Sequence, residues 1–142
     1  MSDDIPPYPF VPKSNRYLRP GQFWGIKLSD GRYAAGRVMV VPAFGPKDRV
    51  GLVVGLMDWV GREPPTADDL AGRRVLEQAK TRYDAIEDGG TGVLGHRPLE
   101  ADRLTPIDPM DGRIGARHLV WGSRVITTHA EKAFASSDIP RS

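Results

Sequence analysis

The chain contains no cysteine. That excludes disulfide staples, thiolate nucleophiles and cysteine-based zinc sites together, and it fits a reducing compartment. No apolar run approaches the roughly 20 residues that a membrane-crossing helix needs. An excess of one charge is missing too: 20 Lys and Arg face 18 Asp and Glu, for a formal net charge of +2. Arg16, Arg19, Arg32, Arg37, Arg49, Arg62, Arg73 and Arg74 are scattered among acids, whereas a nucleic-acid binder clusters its cations on one face or run. The opening Met1-Ser-Asp-Asp-Ile-Pro-Pro7 is acidic and has no apolar core, unlike a secretory signal. These absences point to a cytoplasmic protein without a membrane partner, and they argue against nucleic acid as its ligand.

What is present favours short strands and many turns. Its 142 residues suit one domain, with 16 Gly and 13 Pro to punctuate it. The clearest local signal is a hairpin: strands at 22–28 and 32–41, joined at Ser29-Asp30-Gly31, where Asp-Gly predicts a tight type I′ turn. Alternation puts Trp24, Ile26 and Leu28 toward the core. A third strand is expected over 49–59, bent at Gly51 and Gly55. Thr66, Asp68 and Asp69 then read as a helix start, and Leu70, Val75, Leu76, Ala79, Tyr83 and Ile86 as its apolar stripe. Asp88-Gly89-Gly90 ends that helix. A strand over 91–99 follows, then a polar loop anchored by Leu104, Pro106, Ile107 and Pro109. Residues 118–128 read as two strand-like halves split at Gly122-Ser123, and a short helix begins near His129. The expected fold is α+β: a small twisted antiparallel β-sheet or half-open barrel with one packing α-helix. Residues 1–20 form a Pro-rich extended arm pinned by Tyr8, Phe10 and Val11, residues 21–130 the single domain, and 131–142 a tail.

Catalytic and metal signatures are not met. His96, His118 and His129 lack the spacing or Glu companion of a helical metal site. Gly122-Ser123-Arg124 lacks the second glycine of a nucleophile elbow. Gly89-Gly90-Thr91-Gly92 follows a helix, the reverse of a phosphate loop, and no Gly-Lys-Ser/Thr comes after it. No catalytic residue, metal ligand or cofactor is therefore assigned. A pocket lined by His96 or His118 beside carboxylates would revive an enzymatic reading. Pro6-Pro7-Tyr8-Pro9 and Pro9-Phe10-Val11-Pro12 match P-x-x-P, yet a packed arm is the commoner use of such prolines. Hot-spot residue types are better represented. Trp24, Trp59 and Trp121 are expected in the core, which leaves Arg32, Tyr33 and Arg37, around the hairpin tip, as the exposed candidates for partner contact.

The segment Arg19-Pro-Gly-Gln-Phe-Trp-Gly-Ile-Lys-Leu-Ser-Asp-Gly-Arg-Tyr-Ala-Ala-Gly-Arg-Val38 resembles the start of the immunity protein 26 family. Gly21-Gln22-Phe23 stands for that family's first strand, and Tyr33-Ala-Ala-Gly-Arg-Val38 matches its Tyr-x-x-Gly-Arg-Val/Ile strand. Gly92-Val-Leu-Gly-His-Arg-Pro-Leu99 is similar to its later strand and Gly-x-x-Pro-Leu turn. The resemblance implies a bacterial immunity protein that binds and neutralises a cognate toxin domain and performs no chemistry itself. A small β-barrel module binding nucleic acid is the alternative from another class, and steeply salt-dependent binding would distinguish it.

Overall fold

In the computed structural model five strands form one open antiparallel sheet, in the order β4-β3-β2-β1-β5. The structure describes residues 5–43, 47–106, 121–122 and 124–135. Expectations for Ile107, Pro109, His118 and the last seven residues lie outside these. The strands are β1 (Gln22–Lys27), β2 (Tyr33–Val40), β3 (Gly51–Gly61), β4 (Val75–Arg82) and β5 (Gly90–His96). A short helix α1 (Asp84–Gly89) precedes β5, and α2 (Val125–Phe134) closes the described chain. This is the small α+β architecture expected.

The hairpin forms where the sequence places it, with a different turn. Leu28 N donates to Arg32 O (2.8 Å) and Gly31 N to Leu28 O (3.1 Å). Gly31 has φ 90°, while Asp30 is not among the described residues with positive φ. A type I′ turn needs positive φ at both central residues. The loop is instead the three-residue kind, in which a single left-handed glycine closes the turn.

Both faces of the sheet are covered, so the inner strands β1, β2 and β3 bury side chains on both sides. Trp24, Ile26, Leu28, Ala34, Val38, Leu52, Val54 and Leu56 point to one side with α1 and α2. Phe23, Ala35, Met57, Trp59 and Leu70 pack on the other. All three tryptophans are buried. Helix α2 presents Ile126, Ala130 and Phe134 to the first side, one residue per helical turn. It continues to Phe134, beyond the 130/131 boundary drawn from sequence.

The helix expected from Thr66 to Ile86 is mostly something else. Asp68–Leu70 is one 3-10 turn, Gly72 takes φ 73°, and Val75–Arg82 is β4, paired with β3 from Gly51↔Arg82 to Met57↔Val75. Helix propensity is a weak preference, and an eleven-residue apolar strand with an unpaired edge outweighs it. Only the final turn survives, as α1, capped by left-handed Gly90 (φ 101°) at the expected end. The second strand-like half after Gly122 is likewise helical: Val125–Thr128 begin α2. The Pro-rich arm is held on the β5 edge by Phe10 N to Val93 O (3.1 Å) and Val93 N to Phe10 O (2.7 Å). Phe10 does pin the arm, but Tyr8 and Val11 stay exposed, at 39% and 45%.

Candidate functional site

Two of the three hairpin candidates, Arg32 and Arg37, are buried and bonded within the fold, contrary to the exposure expected for them. Arg32 is buried. Its Nε donates to Asp30 Oδ2 (2.7 Å) and its Nη2 to the carbonyl of Phe134 (2.7 Å). The last carbonyls of a helix lack partners within the helix and attract cations, so Arg32 caps α2 from the hairpin tip. Glu131 reaches back to Ser29 N (2.7 Å) and accepts from Ser29 Oγ (3.1 Å). The Arg32 amide, more than its guanidinium, holds the Asp30 carboxyl below its ordinary range.

Arg37 is 0% exposed, the opposite of the exposure expected for it. Its Nη1 donates to Asp102 Oδ2 (2.9 Å), and its Nη2 to the carbonyls of Arg97 and Pro98. Asp102 also accepts from Arg97 Nε (2.8 Å), Arg97 Nη2 (3.0 Å) and the Gly72 amide (2.8 Å). These partners, Arg97 foremost, hold the Asp102 carboxyl well below the usual carboxylate range against the opposing effect of burial. Burial pulls the Arg37 guanidinium down, and Asp102 pushes back. The cluster joins β2 to the turns at 68–72 and 99–102. The Arg32 and Arg37 guanidiniums are thus both engaged in contacts that hold the fold together. Tyr33, half-buried against the Phe23–Trp59 cluster, is the one hairpin candidate with a partly open side chain.

The histidines divide. His96 is exposed, with Nε2 3.0 Å from Pro20 O. His129 stacks on Trp121 (centroids 4.9 Å apart) and sets Nδ1 3.2 Å from Glu77 Oε2. The carboxylate and the indole together fix the orientation of this imidazole. No group of three or more His, Asp or Glu suited to a metal occurs among the described residues.

Among the described residues, a groove of about 290 Å³ lies on the arm. Pro6, Phe10, Val11 and Pro12 supply apolar lining, while Lys13 and Arg16 supply charge. Tyr8 stacks on Phe10 (5.9 Å), Phe10 meets Tyr17 edge-on (6.4 Å), and the Arg16 guanidinium lies over the Tyr17 ring (5.0 Å). Tyr8 and Val11 are the exposed large hydrophobics among the described residues. Pro12 is buried, so the second P-x-x-P match is not presented as a free polyproline ligand. From the sequence, packing is the favoured role of the arm and a P-x-x-P ligand the alternative; a binding groove on it is not among the expectations. The available signal was a run of aromatics and cations, Tyr8 to Arg19, with no acid in it.

No family model, curated protein or solved structure matches the chain. No helix of the described residues is long and apolar enough to cross a membrane.

Proposed function

We propose that this chain is a non-catalytic binding protein of the immunity type, which neutralises a cognate bacterial toxin domain in the cytoplasm. The observation that carries the reading is the way Arg37 ties together the two segments on which the resemblance rests. Gly36 leaves room for Trp24 across the hairpin: an added Cβ would lie 2.3 Å from Trp24 Cζ2. Next to it, Arg37 holds the carbonyls of Arg97 and Pro98 at the end of the second segment. The Gly-Arg pair and the Arg-Pro-Leu turn thus serve one another, giving the shared residues a physical reason to occur together. Exposed aromatic and cationic side chains on an ordered arm suit a protein ligand. A standard interface for such a partner covers about 800 Å² of each protein.

The test is co-purification of the tagged chain from its native host, followed by mass spectrometry and a toxicity assay of the retained protein. A stoichiometric partner that is toxic when expressed alone, and harmless when this chain is co-expressed, is the expected result. Recovery of nucleic acid without protein, lost steeply as salt rises, would replace this reading with the nucleic-acid module.

A further inference from the structure

The arm groove brings two exposed cations, Lys13 and Arg16, to one apolar recess with no acid in its lining. Lys27, Arg62, Arg73, Arg103 and Lys132 are likewise exposed without an ion pair among the described residues but line no such recess. Arg32, Arg37, Arg74, Arg82, Arg97 and Arg124 each lie within 4 Å of a carboxylate. Lys13 and Arg16 are in no ion pair among the described residues, and no Asp or Glu lines the groove between them. Nor is the arm loosely attached. Asn15 is buried and donates Nδ2 to Gly51 O (2.8 Å) and its amide to Arg49 O (2.9 Å). Leu18 and Pro12 are buried on either side of it. These bonds also bring exposed Arg49 alongside the arm. The result is a preformed apolar recess flanked by unanswered positive charge. A ligand that fits needs no ordering of the arm, which removes a main cost of association.

We propose that this groove docks an acidic segment of a partner protein, with one aliphatic or aromatic side chain against Pro6, Phe10 and Val11 and carboxylates facing Lys13 and Arg16. About 290 Å³ is near the lower end for ligand pockets, roughly 300 Å³, and suits one or two apolar side chains. Charge complementarity selects acids over bases at this site. A single nucleic-acid strand fits less well. Base stacking on successive bases requires several open ring faces, whereas Tyr17 lies under Arg16 and Phe10 is stacked on Tyr8, which leaves Tyr8 as the exposed ring of the three. The inference rests on the reading of the chain as a protein-binding module and names the surface and ligand chemistry.

The test uses the full chain and three fluorescent probes at low salt. One is a short peptide with a Leu-Phe pair flanked by Asp and Glu, the second the same peptide with Lys for every acid, the third an oligothymidine. The acidic peptide is expected to bind at least about tenfold more tightly than the basic one. Lys13→Glu with Arg16→Glu should abolish that preference while lowering the thermal unfolding midpoint by no more than about 3 °C. Amide shifts in ¹⁵N spectra should cluster within residues 6–17. Equal affinity for both peptides, no binding of the acidic one, tighter binding of oligothymidine, or shifts elsewhere would each overturn the proposal. If a toxic partner is captured and the double variant still holds it, the immunity reading stands and the groove assignment fails. If the groove takes the acidic peptide but no protein partner is ever retained, the reverse holds.

Discussion

Arg37 and Arg16 are the same residue in opposite circumstances. Arg37 sits at the centre of the sheet, fully buried, with both terminal nitrogens bonded to Asp102, Arg97 and Pro98. Arg16 lies exposed on the arm, over a tyrosine ring and without a carboxylate among the described residues. A guanidinium taken out of water must be answered by charge and hydrogen bonds, and once answered it is committed to the fold. An exposed one keeps its bonding capacity for another molecule. Structural arginines should therefore move stability when altered, and arm cations should move binding.

The strongest way to break that contrast is Asp102→Ala. The Asp102 side chain is 1% exposed and serves two arginines and the Gly72 amide. Its removal leaves Arg37 charged and buried without a counter-ion, a loss expected at about 3–5 kcal/mol, measured by urea unfolding. Acid gives a second handle. The folded Asp102 carboxyl titrates well below its ordinary value of 3.8, so at moderately acid pH the unfolded chain binds its proton and the folded chain does not. Its contribution is complete above the unfolded value and is lost as pH falls through the folded one. The stability gap between the native chain and Asp102→Asn should stay constant from about pH 5 to 8 and shrink below about pH 4. A gap that widened in acid would contradict the assignment.

Next in size is Gly36→Ala. The new methyl would meet the Trp24 ring in a fully buried layer, and overpacking of this kind costs about 1–3 kcal/mol. A neutral result would mean that the Trp24 ring can shift, and that this part of the sheet is less rigid than the Arg37 cluster beside it.

These two sites also show how far the sequence was legible. The hairpin could be read because its signals are local: Asp30-Gly31 and the alternation of Trp24, Ile26 and Leu28 are neighbours in the chain. The exposure of Arg37 could not, because the group that permits its burial is Asp102, 65 residues away in a turn with no distinguishing motif. Residues 66–86 misled for a related reason. Leu70, Val75, Leu76 and Ala79 match helical spacing, while pairing of 75–82 to β3 decides the conformation. Gly72 was the one local dissent, since a glycine inside a helix costs about 1 kcal/mol. On the arm, Phe10 as an anchor was readable. The unanswered charge of Lys13 and Arg16 was not, because it depends on which acids fold nearby.

Arg32→Ala should have a smaller effect, about 1–2 kcal/mol, from loss of one charged hydrogen bond to the end of α2 and one to Asp30. Its signature is local. Amide exchange should speed up along Val125–Phe134 more than in β2 or β3. Uniform acceleration would mean that Arg32 belongs energetically with Arg37.

Arg16→Ala should change stability least, by about 0.5 kcal/mol, the low end for an exposed cation over an aromatic ring. The Tyr17 ring keeps its edge contact with Phe10, and the arm keeps the Phe10–Val93 and Asn15–Gly51 bonds, none of which involves the guanidinium. The substitution therefore isolates what the side chain offers to solvent. Unfolding in urea at matched pH and salt measures the difference directly. A loss approaching that of Asp102→Ala would make Arg16 a second structural arginine, and its charge would no longer be free to select a partner. A change near zero, with a native-like spectrum, leaves that charge in place on a folded arm, where only a ligand can use it.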